Sequence, residues 1–100
     1  MQVNQPIGRT PFTHEKLTIT SAAVVRLTEA YRIVYKAAYI TIEDHTIRYQ
    51  IDSTDPDATT GHEVAAAGEL LFIDPQSLRE LRMIATVAQE DAIVQVTYYK

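Results

Sequence analysis

The feature that most limits how this chain can fold is a strand that runs straight into a turn it cannot pass through. Residues 46–62 read TIRYQIDSTDPDATTGH. Ile47, Tyr49 and Ile51 alternate with Arg48, Gln50 and Asp52, the period of two that marks a half-buried strand. Asp52-Ser53-Thr54-Asp55-Pro56-Asp57 then packs six turn-forming residues together. Asp and Ser side chains can bond nearby backbone N–H groups, and Pro56 holds its own φ while pushing Asp55 out of the α region. Gly61 closes the loop before another apolar run. A strand, a rigid loop and a second strand are therefore predicted, with Asp52, Asp55, Pro56 and Gly61 as structural turn residues.

The rest of the chain repeats this grain. Residues 16–20 form a short alternating strand with Leu17 and Ile19 on one face. Residues 21–36 carry two signals. Val24, Leu27, Tyr31 and Val34 recur at helical spacing and Ser21 could cap a helix. Val24, Val25, Thr28, Tyr31, Ile33, Val34 and Tyr35 are β-branched or aromatic, which favours strand. Irregular structure with short β pieces is the expectation. Residues 37–43 alternate plainly, and Asp44-His45 reads as the tight connection of a hairpin to the 46–52 strand. Residues 62–66 and 69–73 are two further β stretches, with Gly68 permitting a turn or bulge between them. Asp74 and Pro75 have the chemistry of a helix start, acceptor then donor-free residue, for one or two turns. Residues 81–87 and 92–99 complete the set, separated by the polar run Ala88-Gln89-Glu90-Asp91.

Short strands at regular spacing with one small helical turn predict an all-β fold, an antiparallel β-sandwich of six to eight strands. Strand–helix alternation, the mark of a parallel sheet, is missing. Residues 16–100 make one sandwich domain. Residues 1–15, with two of the four prolines, one of the three glycines and little periodicity, make an extended N-terminal arm. Such an arm gains order by lying on its own domain or on a neighbour.

Composition narrows the function classes. A 100-residue chain buries about 60–65% of its unfolded surface, a thin core. With no cysteine it can hold neither a disulfide nor a thiolate zinc site. A formal charge of −4 and scattered basic residues argue against a nucleic-acid partner. No apolar run approaches a membrane span, and MQVNQPIGRTPF lacks a basic-then-apolar export pattern, so a soluble protein with no membrane partner is expected.

No group of residues carries a mechanism. Asp52, Asp55 and Asp57 could offer oxygen ligands to Ca²⁺, yet the spacing lacks an EF-hand's central glycine and terminal Glu, and Asp in turns ordinarily satisfies backbone. His14, His45 and His62 show no metal-ligand spacing. Ser53, His62 and an Asp make a triad only on paper, without a nucleophile elbow, and Glu43 with Glu69 is a carboxylate pair only if a separation says so. An enzyme is not expected, nor a cofactor or metal. Of the six tyrosines, Tyr49 and Tyr98 read as core, whereas Tyr39 and Tyr99 fall on the opposite strand faces, where an interface is as good a reading as solvent.

Ile47-Arg48-Tyr49-Gln50-Ile51-Asp52-Ser53-Thr54-Asp55-Pro56 and Ala58-Thr59-Thr60-Gly61-His62 are followed by Ala66-Ala67-Gly68-Glu69-Leu70, Leu78-Arg79-Glu80-Leu81-Arg82-Met83-Ile84 and Val96-Thr97-Tyr98-Tyr99. This ordered set resembles a group of small structural proteins of tailed bacteriophages, whose pattern runs IRY-x-[VL]-DGTDPTATTGH, AAGD-x-L-x-[LI], L-x-x-[FL]-[RK]-[AM]-I and VTYY or VTYF. It spans the chain from about Leu17 to Lys100. Ser53 stands where the pattern has Gly, which makes a positive φ there less favourable, and Glu69 stands where it has Asp. The turn alone is also similar to the DGSDPT signature of chitobiase-like C-terminal β-sandwich domains, accessory domains of sugar-active enzymes.

The phage resemblance implies a virion structural protein without catalytic activity. The first expectation is a capsid decoration (cement) protein bound across neighbouring subunits of a major capsid protein. It would be made in the host cytoplasm and located on the capsid surface, and it would be a homo-oligomer, a trimer by analogy. On this reading Pro6, Ile7, Arg9, Pro11 and Phe12 bind the partner as a strand laid on an exposed sheet edge, with Tyr39 and Tyr99 as further contacts. The alternatives are a tail, neck or baseplate component, and a carbohydrate-binding module using the tyrosines and the 52–57 loop.

Overall fold

The structure, a computed structural model, describes residues 10–100. The elements follow in the order β1 (Pro11–Ile19), β2 (Val25–Arg26), α1 (Glu29–Arg32), β3 (Ala37–Glu43), β4 (Ile47–Gln50), β5 (His62–Val64), β6 (Glu69–Phe72), α2 (Pro75–Glu80), β7 (Arg82–Ala85) and β8 (Ala92–Tyr99). Among the described residues they form two four-stranded sheets, β1-β8-β3-β6 and β2-β7-β4-β5, with every pairing antiparallel. The chain is an all-β sandwich.

Alternation places the core. Along β8, Ala92, Val94, Val96 and Tyr98 are fully buried while Ile93, Gln95 and Thr97 face outward and are half-buried. Ala38, Ile40 and Ile42 of β3 share that inner face, and Ile47 of β4 with Met83 and Ala85 of β7 come from the second sheet to meet them. Leu27, Leu78 and Leu81, all without exposed surface, close the ends from the connections. Each such aliphatic side chain contributes about 1.5–3 kcal/mol on leaving water. Helix α2 starts as its sequence dictates. Asp74 accepts from the Ser77 backbone N–H at 3.0 Å, Pro75 occupies the first turn, and Leu78 points into the core.

Several connections differ from expectation. β3 and β4 do not form a hairpin. β3 is already flanked by β8 and β6, so the chain crosses at residues 44–46 to the other sheet, and Ile42 and Ile47 both reach the core from opposite sides. Asp44 makes the corner at φ 77°, with the His45 N–H donating to the Glu43 carbonyl at 2.9 Å. The sequential pair that does form a hairpin is β4–β5, across the 51–61 loop, with Tyr49 opposite His62.

β5 and β6 also lie in different sheets, and the positive φ of their connection falls on Ala67 (72°) rather than Gly68. Gly68 is needed for closeness instead. A Cβ there would lie 2.5 Å from Val64 Cγ1 and 2.8 Å from the Ala65 carbonyl oxygen. Within residues 21–36 the β piece is only β2, and a single helical turn, α1, accompanies it, so the fold has two helical turns where one was expected. Tyr31 and Arg32 both donate to the Thr28 carbonyl at 2.9 Å, which makes that turn. Finally, β1 begins at Pro11, so residues 11–15 of the expected arm pair with β8 as part of the sheet. Residues 1–9 of that arm lie outside the described residues.

Candidate docking site

β1 is an edge strand of nine residues, the longest in the fold, and among the described residues it has a neighbour on one side only. Unpaired edges of this length offer backbone N–H and C=O groups to another chain. Its register to β8 shifts between Pro11 and Thr13, and Phe12 sits at that irregularity with 55% of its surface exposed. Such a shift re-aims a side chain. The base of the strand is tied down by the Lys100 N–H, which donates to the Thr10 carbonyl at 3.2 Å, and Lys36 is held beside it by donating to the Tyr99 carbonyl at 3.1 Å.

Beside Phe12 the chain leaving α1 completes an apolar cleft of about 470 Å³, lined by Phe12, Val34, Tyr35, Lys36 and Lys100. The helical turn directs Tyr31 and Tyr35 inward and leaves Ile33 and Val34 exposed. An aromatic chain supports the cleft from below. Phe12 lies 5.6 Å from Tyr35, Tyr35 lies 5.5 Å from Tyr98, and Tyr98 lies 5.2 Å from Tyr31, centroid to centroid. Lys100 Nζ rests 4.0 Å from the Phe12 ring centroid, within cation–π range.

The Tyr98 hydroxyl donates to Glu15 Oε2, and the same carboxylate accepts from the Thr28 N–H at 3.2 Å and from the Thr28 hydroxyl. Glu15 thereby joins β1, β8 and the start of α1. Burial, reinforced by the Glu15 hydrogen bond and charge, pushes the Tyr98 phenol far above its ordinary value. A raised folded value means the protonated form carries the stability. That contribution is complete below the unfolded value near 10 and is lost as pH rises beyond it. Urea midpoints measured against pH should therefore stay level between pH 7 and 9 and fall above about 10, with a shallower fall in Tyr98→Phe.

The other candidates separate. Pro11 and Phe12 belong to the site. Pro6, Ile7 and Arg9 lie outside the described residues. Tyr99 does not present a surface, since it is fully buried where β8 runs between Pro11 and Ala37. Tyr39 is half-buried two strands away from β1, about 10 Å at ordinary strand spacing, opposite Leu71 and Thr97. Its phenol is held above the ordinary value by desolvation first, then by Glu69. Together with exposed Leu71 it makes a separate, smaller patch on the outer face of the first sheet. Ile33, Val34 and Lys36 were not foreseen. The only signal for them was an Ile33-Val34 pair that one helical stripe cannot bury entirely.

The acidic loop is spent on its own backbone. Asp52 Oδ1 accepts from the Thr54 N–H and hydroxyl, and Asp57 Oδ1 from the N–H groups of Thr59 (2.8 Å) and Thr60 (2.7 Å). Those bonds lower both carboxyls below the usual range. Asp55 pairs with Arg82 at 2.8 Å. Ser53 does adopt the positive φ, 74°, that disfavours a side chain, and its hydroxyl donates to Glu80 at 2.7 Å rather than to a histidine. Among the described residues no group of three or more His, Asp or Glu is placed to hold a metal. His14 bonds Gln95, His45 bonds the Asp91 carbonyl, and His62 lies against Tyr49 on β5. Glu43 and Glu69 stand exposed on the open outer face of the first sheet. No known protein family, curated protein or solved structure matches this chain.

Proposed function

We propose that this chain is a virion structural protein that decorates a capsid, docking through the β1 edge and the cleft between Phe12 and Val34 onto neighbouring shell subunits. The observation that carries the reading is the nine-residue edge strand with its exposed Phe12 beside an apolar cleft. An edge strand and an apolar notch are what a partner strand needs, backbone pairing for affinity and a hole for one side chain. Contacts of this kind exist only where shell subunits are already assembled, so each bound copy stabilises the shell by mass action. The ordered resemblance to phage structural proteins supports the same assignment. The carbohydrate-binding reading loses Tyr99 as a stacking surface, because that ring is buried.

Co-sedimentation with shells stripped of decoration tests it, using the intact chain, a chain starting at residue 10, Phe12→Glu and Val34→Glu. Truncation must stop before Thr10, since residues 11–15 are part of the sheet and Thr10 is bonded to Lys100. The intact protein should bind saturably, and each substitution should weaken binding about tenfold or more, the worth of one desolvated apolar side chain. Failure of the intact protein to bind shells overturns the decoration role and directs the search to tail components.

A further inference from the structure

We infer that the open outer face of the first sheet is where a second copy of this chain packs, face to face, about a two-fold axis parallel to the strands. The strand register sets out that face in rows. Lys16 of β1 stands opposite Gln95, Gln95 opposite Thr41, and Thr41 opposite Glu69 of β6, so a base and an acid hold the two ends of one row. Three strand spacings, about 14 Å, lie between them, too far for an ion pair within the chain. Both are exposed, and no ion pair engages either among the described residues. A second row runs from His14 through Thr97 and Tyr39 to Leu71, and a third from Thr18 through Ile93 to Glu43. The middle of the face is therefore neutral and its charges stand at the rim, which is how interfaces between proteins are built.

The placing of charge selects a second copy and its orientation. A half-turn about an axis along the strands, between β8 and β3, lays β1 of each copy over β6 of the other at the same level. Lys16 then faces Glu69 of the other copy, twice by symmetry, with Glu43 of that copy one strand and one row away. Thr97 faces Tyr39, His14 faces Leu71, and Glu43 faces Ile93. A half-turn about an axis across the strands would set β1 over β1 and β6 over β6, leaving Lys16 with no carboxylate opposite it and like charges close together. Each face carries three formal charges, Lys16, Glu43 and Glu69, and the surplus negative charge stands at the rim, where salt screens it. Three rows of four strands cover about 400 Å² per copy, roughly half of what a complex stable in dilute solution buries. The contact is a weak one that forms where copies are concentrated, and it makes a pair in place of the trimer expected by analogy. It leaves the β1 backbone edge free in both copies and puts both Phe12 clefts at one end, on opposite flanks. A pair can then hold two neighbouring shell subunits, a step that rests on the decoration reading above.

Sedimentation equilibrium of the intact protein at low salt, up to about 2 mM, tests the pair in the range where so small a contact is populated. Wild type should dimerise reversibly. Lys16→Glu and Glu69→Lys should each weaken dimerisation about tenfold, since symmetry counts every rim pair twice. The double variant carrying both changes should recover it, and the two positions are too far apart in one chain for that recovery to be internal. Glu69→Lys brings the formal charge of −4 nearer zero, so net repulsion alone would make that variant associate more strongly, not less. A monomer at the highest concentration overturns the second copy and assigns the face to another occupant. Single variants that dimerise like wild type overturn this face as the contact. Weakened single variants with no recovery in the double overturn the axis along the strands. Co-sedimentation with shells, using the same four proteins, tests the bridging. Lys16→Glu should bind shells more weakly, and the double variant like wild type. Equal binding by all four overturns the bridging of subunits while keeping the pair and the decoration reading. A wild type that dimerises but binds no shell overturns the decoration reading and keeps the pair.

Discussion

Tyr98→Ala is expected to lower the unfolding free energy by about 3–5 kcal/mol, and Tyr98→Phe by about 1–2 kcal/mol. Tyr98 has no exposed surface, and its ring fills the space between Tyr31 and Tyr35. Truncation at Cβ leaves a cavity on β8, a strand paired on both sides, lined by Tyr31 and Tyr35, so collapse refills it only in part. Phenylalanine keeps the ring and removes only the hydroxyl, leaving Glu15 with its two bonds from Thr28. A domain of this size has about 5–15 kcal/mol in total, so the alanine variant should sit close to the folding threshold. Urea denaturation of the two variants beside wild type measures both numbers. Equal losses in the two would mean that the hydroxyl, not the ring, organises this end of the sandwich. The consequence for docking is direct, because Tyr35 rests on Tyr98 and Phe12 rests on Tyr35. On the proposed decoration role, Tyr98→Phe should bind shells like wild type, whereas a folded Tyr98→Ala should bind more weakly.

The strands were legible where burial is one-sided. β3 and β8 have inner faces of aliphatic and aromatic residues against outer faces that mix polar residues with Ile93 and tyrosine, and their boundaries match the alternation residue for residue. Which strands pair was not legible, because period two records a buried face and carries no address for the neighbour. Residues 37–50 show this well. Two alternating runs around Asp44-His45 look like a hairpin, but β3 finds both of its partners, β6 and β8, far along the chain. Residues 21–36 defied reading for a different reason. Their helical turn is one turn long, too short for a periodic signal, and it is fixed by Glu15 holding Thr28 from another strand.

The site was half legible. Phe12 stands out as an aromatic in a polar, proline-bearing segment, and its exposure follows from the register shift beside Pro11. The opposite wall was hidden, because Val34 becomes a surface residue only after Tyr31 and Tyr35 have claimed the interior. Tyr99 misled because alternation placed it outward. β8 is a central strand, and a tyrosine between Pro11 on one side and Ala37 on the other is covered even on the outer face. Ser53 misled in the opposite sense. The backbone keeps a positive φ without glycine, and the hydroxyl bond to Glu80 gives the side chain a reason to be there.

Gly61→Ala is expected to cost about 2–3 kcal/mol, the second large effect, through strain and overpacking together. Gly61 has φ 121°, a region closed to residues with a Cβ, and an added Cβ would lie 3.1 Å from Pro56 Cβ, 3.1 Å from the Tyr49 carbonyl oxygen and 3.3 Å from Arg48 Cβ. None of these neighbours can retreat cheaply. Pro56 is buried, and Tyr49 and Arg48 belong to β4, a strand paired on both sides. If the loop yields instead, it moves the carbonyls of Gly61 and Ala58, to which Arg48 donates at 2.7 and 3.1 Å. Either route removes the clamp that holds the 51–61 loop against β4, and Asp55, which pairs with Arg82, is carried on that loop. Thermal melts should show Gly61→Ala lower by about 8–24 °C, at the 4–8 °C per kcal/mol of a domain this size, and amide exchange should quicken first in β4 and β5. A control, Thr54→Ala on the same loop, should shift the melt by only a few degrees, since it gives up exposed bonds to Asp52. A Gly61→Ala melt indistinguishable from that control would mean the loop relaxes freely, and would remove the claim that its close approach to β4 positions Asp55.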